Sequence, residues 1–408
     1  MTHRTLSDGR LGVAVAMTLT VLVCSLCVDV SADDWPRWRG PNGNGISSET
    51  GWSTDWPEDG PKVLWRTNVG AGFSCIVVTG GRAYTLGGAD DRDTVYCFDA
   101  ETGKVVWKQS YDCRTAFQNY SGPRATPTVD GNRVYTFSGA GHLNCYDAAT
   151  GKPVWTKKAS TGFPTWAFAS SPVVYGETVV VNAARAGMAF NKTTGEEVWT
   201  TGGGKSGYAS AVPYVKDGKT TLLVFSQKSL FAVDPKSGSV AWSFPWETAY
   251  DVNAADPVIA GERIFISSGY KTGCALLSVE GGKPNQLWRN TDMKNHVNST
   301  VLHEGGLYGF HDSTLRCLDL ESGEVKWSQG GYGKGSLILA DGKLIVLGQG
   351  GNLAVAEASM DGFRKLAEAK VLTVPRGGVC WTSPVLANGR IYCRNSTGDV
   401  VCLDVKGN

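Results

Sequence analysis

Charge of one sign is missing from this sequence: 39 Lys and Arg stand against 38 Asp and Glu, and no run concentrates either. A net charge of +1 excludes the electrostatic footprint of a nucleic-acid binder. Histidine is scarce. Of the five, His3 lies at the N-terminus, and His142, His296, His303 and His311 are scattered without metal-ligand spacing, so no metal centre is expected. Cys-x-x-Cys-His, Gly-x-Ser-x-Gly and a strand–glycine loop–helix phosphate motif are all absent. Haem attachment, hydrolase-elbow chemistry and P-loop nucleotide binding therefore have no support.

Glycine (52) and tryptophan (14) are abundant instead. Tight turns combined with large aromatics favour an all-β chain. The N-terminus differs in character. Arg4 and Arg10 precede an apolar-leaning run from Leu11 to Val28, followed by Val30-Ser31-Ala32. This reads as a secretory signal peptide over residues 1–32, cut near Ala32. The expected product is exported, periplasmic or extracellular, with no membrane span in the mature chain. Residues 33–61 form a Trp/Pro/Gly-rich extension expected to pack across the surface of the domain that follows, 62–408.

That domain is written in repeats. Asp or Asn, three residues, Gly, three residues and Trp recur at Asp99/Gly103/Trp107, Asp147/Gly151/Trp155, Asn191/Gly195/Trp199, Asp234/Gly238/Trp242 and Asp319/Gly323/Trp327. A stretched copy ends at Trp288 and a degenerate one surrounds Gly362. The tryptophans are spaced by 39 to 48 residues, the period of a four-stranded propeller blade. An alternating run such as VYCFD precedes each Asp, whose carboxylate can cap the turn. The Gly supplies positive φ, and the Trp covers the seam between blades.

Seven full repeats are placed at about 72–108, 123–156, 170–200, 209–244, 254–290, 297–329 and 335–370. Residues 381–405 hold only three strands, and 62–69 hold one strand without partners. Pairing these ends makes an eighth blade and closes the ring, leaving no long free edge. The expected fold is an all-β, eight-bladed, four-stranded β-propeller, monomeric.

Nine cysteines remain after cleavage. Cys97, Cys145, Cys317 and Cys402 occupy one repeat position, too far apart to pair with each other, and read as small buried residues. A two-residue turn at Thr397-Gly398 would set Cys393 opposite Cys402 and make a disulfide.

The Asp-to-Trp hairpins lie on one face of such a ring. Loops entering the inner strands lie on the other and converge on the channel, where function is usually carried. They nominate Tyr120, Arg124, Trp166, Tyr208, Tyr250, Asp251, Asn253, His296, Asn298, Lys334 and Trp381. The middle-strand loops add Arg185, Gln227, Lys271, His311 and Gln349.

The Asp-x-x-[Ser/Thr]-Gly-x-x-x-Trp hairpin resembles the PQQ-like propeller repeat over nearly the whole mature chain. WPRWRGPNGNG, from Trp35, and the C-terminal CWTSPVLANGRIYCRNSTGDVVCLD resemble a bacterial group of secreted PQQ-like propellers. The wider family includes quinoprotein alcohol dehydrogenases and BamB-type assembly subunits, so two functions are implied. One is a binding or assembly scaffold for an envelope or secreted protein partner, although a lipobox typical of BamB-type subunits is missing. The other is a PQQ- and calcium-dependent dehydrogenase, with Trp166 or Trp381 against the quinone and Asp251 or Asp256 as base beside Asn253. The adjacent Cys-Cys pair of such enzymes is missing too. Carbohydrate or polymer binding on the aromatic loops is a further class.

Overall fold

The computed structural model describes residues 1–3, 33–114, 116, 117, 120–159 and 162–407, without the side chains of 116, 117 and 120. The signal-peptide reading falls on residues outside that description. Among the described residues no helix is long and apolar enough to cross a membrane.

Eight four-stranded antiparallel sheets succeed one another along the chain, at 77–112, 128–158, 173–200, 212–245, 258–290, 301–329 and 336–370, with the eighth assembled from both ends. We number these blades 1 to 8. In blade 8, Val63–Asn68 pairs antiparallel with Asp399–Asp404 and becomes the outermost strand. The ring is therefore closed by the two ends of its own chain, as the unmatched strands predict. The one helical element among the described residues is a three-residue 3₁₀ turn, Ala249–Asp251.

The repeat explains how the blades adhere. In Asp99–Trp107, Asp99 Oδ1 accepts from Thr102 N (2.9 Å) and Thr102 Oγ1 (2.8 Å), and Gly103 takes φ +69°. A β-bulge then adjoins the residue facing the Trp position in every blade. The ring of Trp107 lies against Gly151 of blade 2, where a Cβ would come within 2.5 Å. Its Nε1 donates to Ala148 O at 2.9 Å. The same docking joins Trp65, Trp155, Trp199 and Trp288 to Gly103, Gly195, Gly238 and Gly323 of the next blade. Each glycine is thus required twice, for its left-handed φ and for the approach of a neighbour's indole. Burial of one such ring contributes on the order of 3 kcal/mol. Blade 5 departs from the pattern: its hairpin turns on Gly281-Gly282, and Trp242 before it is only half-buried. Blade 7 has Ala367 where the Trp would stand.

Four of the cysteines complete this seam. Cys97, Cys145, Cys317 and Cys402 each lie between a Tyr on one side and a Trp on the other: Tyr84 and Trp107, Tyr135 and Trp155, Tyr308 and Trp327, Tyr392 and Trp65. Tyr135 Oη and Trp155 Nε1 both donate to Lys192 O, at 3.1 and 3.2 Å. Tyr392 Oη and Trp65 Nε1 likewise meet at Ala100 O. A small side chain between two large rings lets both reach one carbonyl of the next blade. Burial pushes the Cys402 thiol up to about 12, so it stays protonated.

The Cys393–Cys402 disulfide is corrected by the register. Cys393 faces Val401 and Cys402 faces Tyr392. The turn is longer than two residues, since Asn395 N bonds Asp399 O and Asn395 Oδ1 accepts from Thr397 and Asp399. One residue of offset puts the two side chains on opposite faces of the sheet, and both thiols are free.

The N-terminal extension also departs from expectation. It does not lie over the ring but enters the channel. Asp34 holds the first turn of blade 1 through Thr79 Oγ1 and Gly80 N. Trp35 pairs with Val78 of the innermost strand, and Pro36 O accepts from Val129 N in blade 2. The chain then crosses to blades 5 and 6, where Arg39 donates to Thr300 O at 2.8 Å. It leaves as Ile46–Ser47, a parallel fifth strand on blade 7. Glu49, buried, then accepts from Asn388 N and Gly389 N in blade 8.

Candidate functional site

Two residues before the first register pair of the inner strand stands a side chain that can accept a hydrogen bond in seven blades, Cys75, Thr126, Ser171, Ser210, Asp256, Ser299 and Ser383, and in blade 7 Ser336 opens the strand itself. These form a belt around the channel. Cys75 N donates to Thr126 Oγ1 (3.1 Å), Thr126 N to Ser171 Oγ (2.9 Å), and Ser171 N to Ser210 Oγ (2.9 Å). Ser210 N continues to Asp256 Oδ1 (2.8 Å) and Asp256 N to Ser299 Oγ (2.8 Å). Asn298 Nδ2 bridges to Gly335 O (3.0 Å), Ser336 Oγ to Thr382 O (2.7 Å), and Ser383 N to Cys75 Sγ (3.3 Å), which closes the circle. Except in blade 7, where Ile46–Ser47 adds a strand, and at the Trp35–Val78 bridge of blade 1, the first strand of a blade has no strand partner on the channel side, and the belt satisfies backbone groups at its entry.

Asp256 is the one carboxylate in the belt. Its second oxygen accepts from the indole of Trp38 at 2.6 Å and so pins the channel-crossing segment. Burial raises its pKa, and the nearby guanidiniums of Arg39 and Arg37 counter that shift. Both oxygens are engaged, which makes Asp256 an anchor rather than an available base.

Trp38 floors a cavity of about 340 Å³ on the face opposite the hairpins. Six of the nominated loop residues line it: Arg124, Trp166, Tyr208, His296, Asn298 and Trp381. Trp381 stacks on Phe73, with centroids 5.8 Å apart and planes 28° apart. Trp166 N donates to Tyr208 Oη at 3.2 Å. Tyr270 meets His296 edge-on at 4.7 Å. Burial, then the charge of Lys334, pushes the His296 imidazole down to about 4. Lys334 Nζ lies 2.9 Å from Nδ1, which in a neutral ring accepts that bond and leaves the proton on Nε2. Gln349 supports the arrangement, its Oε1 accepting from Lys334 N at 2.9 Å.

Other nominated residues fall outside the cavity. Gln227 Nε2 donates to Asp251 Oδ2 at 2.8 Å. Asn253 is buried, with its amide spent on Ser226 O, Gln227 O and Trp246 O and its oxygen on Ser268. Tyr250 is 70% exposed and packs on Tyr270; Lys271 is exposed. Arg185 covers the ring of Phe231, and His311 is held by Asp292 O and Arg316. Tyr120 lies in the short strand Tyr120–Ser121, and its side chain is outside the described set. The sequence reading missed Trp38, Phe73 and Tyr270 as lining residues, and it missed the belt. The belt's signal was present, as Ser, Thr or Asp just before an inner strand in ATPT, SSPV, ADPV and TSPV.

A calcium-held quinone does not fit these residues. Asp251, Asn253 and Asp256 do not form a donor set: the first binds Gln227, the second is an internal brace, and the third is engaged on both oxygens. No group of three or more His, Cys, Asp or Glu able to hold a metal occurs among the described residues.

Ring, belt and funnel define an eight-bladed propeller of PQQ-like repeats whose channel is stoppered by its own N-terminal segment. The chain belongs to the family described as outer membrane protein assembly factor BamB, whose model matches residues 47–122 and 114–329. BamB of Yersinia pestis is 23% identical over 354 residues, covering 83% of this chain and 77% of that protein. In fold, the chain is similar to BamB from Moraxella catarrhalis (TM-score 0.62, 13% identity, 84% of this chain and 99% of that one). It is also similar to quinohemoprotein alcohol dehydrogenase from Comamonas testosteroni (TM-score 0.68, 14% identity, 92% and 81%).

Proposed function

We propose that this protein is an exported assembly scaffold that holds a protein partner of the cell envelope through the funnel and its rim loops. The observation that carries this reading is the match to the BamB-type family over residues 47–122 and 114–329. The site's chemistry agrees with binding rather than turnover. Asp256 accepts hydrogen bonds on both oxygens, and Asp251, its Oδ2 held by Gln227, does not line the cavity. Aromatic walls with few polar groups suit a docked segment. A cleaved signal peptide over 1–32 would deliver the ring to the envelope. The PQQ-dependent dehydrogenase remains the competing reading, and it requires Asp251→Asn or Asp256→Asn to abolish dye-linked alcohol oxidation.

The test is photo-crosslinking in cells that make the full chain. A photoreactive residue in place of exposed Tyr250 should trap a discrete envelope protein, and the yield should fall when Trp166 and Trp381 are both changed to Ala. No trapped partner, together with dye-linked alcohol oxidation on adding PQQ and calcium, would overturn the scaffold.

A further inference from the structure

Aromatic rings mark a path from solvent into the funnel. Tyr250, 70% exposed at the rim, meets Tyr270 edge-on at 5.3 Å, and Tyr270 meets His296 edge-on at 4.7 Å. Both tyrosines sit at left-handed φ, +67° and +54°, which bulky side chains hold only where the surroundings impose it. The fold thus fixes an edge-to-face series at the cost of backbone strain, and the series ends on the cavity wall. The Trp38 indole closes the far side. At about 340 Å³ the space lies at the small end of ligand cavities, which suits one large side chain and not a chain threaded along the axis. The charged groups of the wall are already placed. Asp256 is engaged by Ser210 N and Trp38, and Arg124 by Gly122 O and the charge of Asp93.

One bend, entering blade 6, brings a donor and an acceptor to this wall. His296 gives its Nδ1 to Lys334, and the Nε2–H of the neutral ring makes no bond to a described residue. Asn298, two residues on, spends its amide on Gly335 O; it is 5% exposed, and its Oδ1 has no partner among the described residues. The pair asks for one acceptor and one donor side by side. A carboxylate has no donor for Asn298, an ammonium has no acceptor for His296, and a hydrocarbon ring has neither. A peptide backbone has both, a C=O and an N–H. We propose that the cavity receives one aromatic side chain of the protein partner, and that His296 and Asn298 read the backbone beside it. The entering ring continues the edge-to-face series and rests on Trp38. The His296 Nε2–H donates to a backbone carbonyl, and a neighbouring backbone N–H donates to Asn298 Oδ1. Lys334, behind the imidazole, polarises the ring and strengthens that donor. A single aromatic seated in a desolvated pocket is where interfaces concentrate their binding energy. This anchor deepens the scaffold reading and rests on it, since it names what the envelope protein must present.

Calorimetric titration of the full chain with N-acetyl-L-tryptophanamide, an indole flanked by amides, tests the anchor without any variant. The comparators are 3-methylindole (ring without amides), N-acetylglycinamide (amides without ring), N-acetyl-L-leucinamide and indole-3-acetate. Saturable binding of the tryptophanamide is expected, with 3-methylindole weaker by roughly tenfold to a hundredfold, the worth of two neutral hydrogen bonds. The leucinamide should be weaker by about tenfold, having no ring to add to the series, and N-acetylglycinamide should not saturate. His296→Phe keeps a ring against Tyr270; it should weaken the tryptophanamide by roughly fivefold to tenfold and leave 3-methylindole unchanged. Equal binding of 3-methylindole or of the leucinamide, tighter binding of indole-3-acetate, or an unaltered tryptophanamide affinity in His296→Phe would each overturn the proposal. A chain that cross-links a partner at position 250 yet binds none of these molecules overturns the aromatic anchor alone. A chain that binds them in the expected order but traps no partner overturns the scaffold and keeps the pocket. A chain that does neither overturns both readings.

Discussion

Removing the carboxylate of Asp256 separates two jobs that one side chain performs. Asp256→Ser places in blade 5 the residue that blade 4 carries at the same point, Ser210, so the belt keeps an acceptor for Ser210 N. What it loses is the 2.6 Å bond from the Trp38 indole. A hydrogen bond to a charged group contributes about 1.5–3 kcal/mol net, so release of the channel segment should become roughly ten to a hundred times more frequent. Arg39 lies in that segment, 7% exposed, and trypsin can reach it only when the segment leaves the channel. Limited proteolysis under native conditions should therefore show cleavage at Arg39 faster by that factor, while the thermal transition of the ring barely moves. Asp256→Leu should do both, because it also strands the Ser210 amide in a buried site at a further cost of about 1–3 kcal/mol. In a Trp38→Phe background the Ser substitution should no longer accelerate cleavage. If Asp256→Ser leaves cleavage at Arg39 unchanged, or lowers the transition as much as Asp256→Leu does, the pin-and-belt account is wrong.

Gly151→Ala should lower stability by about 3 kcal/mol, combining the left-handed φ of +72° with a methyl 2.5 Å from the Trp107 ring. Gly176→Ala, at φ +55° with open space around it, should cost only about 1–2 kcal/mol, and chemical denaturation of the pair isolates the indole contact. Asp93 is buried, its Oδ1 has no partner among the described residues, and burial pushes its carboxyl up to about 6. The folded state then holds the proton that the unfolded chain gives up near pH 4, so this group's contribution falls as pH rises from about 4 to 6. Relative to the parent, Asp93→Asn should therefore gain about 3 kcal/mol between pH 4 and pH 7, measured by urea denaturation at each pH. Alkylation of the unfolded, unreduced protein followed by mass spectrometry should find Cys393 and Cys402 both modified; a Cys393–Cys402 peptide would contradict the observed register.

Local chemistry made much of this protein legible. Asp99, Gly103 and Trp107 specify a hairpin because a carboxylate caps the turn, only glycine takes that φ without strain, and the indole must be covered. Five close copies of that hairpin, with a stretched and a degenerate one, at a period of about 45 residues specify blades. The unmatched strand at 62–69 and the three strands at 381–405 specified closure. The loops carrying Arg124, Trp166, His296 and Trp381 could be assigned to one face by counting strand reversals alone. Cys393 and Cys402 show where that counting stops: a turn longer by a single residue reverses the face of a side chain, and the sequence NSTG does not state its own length as a turn.

The tertiary structure decided what the sequence could not order in space. Asp256 looked like a candidate base because a carboxylate beside Asn253 is all that a linear reading can see. Folded, its oxygens are filled by Ser210 from the preceding blade and by Trp38, more than two hundred residues away in the chain, while Asn253 is turned into the backbone. The extension reads as a surface strap because its Pro, Gly and Trp content has no period. Only the ring, by leaving the channel edges of its inner strands unpaired, gives that segment partners along the axis. The sequence by itself determined the ring and its seams, through contacts between residues a few positions or one repeat apart. What floors the funnel, and which polar groups remain unspent around it, depended on contacts across the channel that no local pattern encodes.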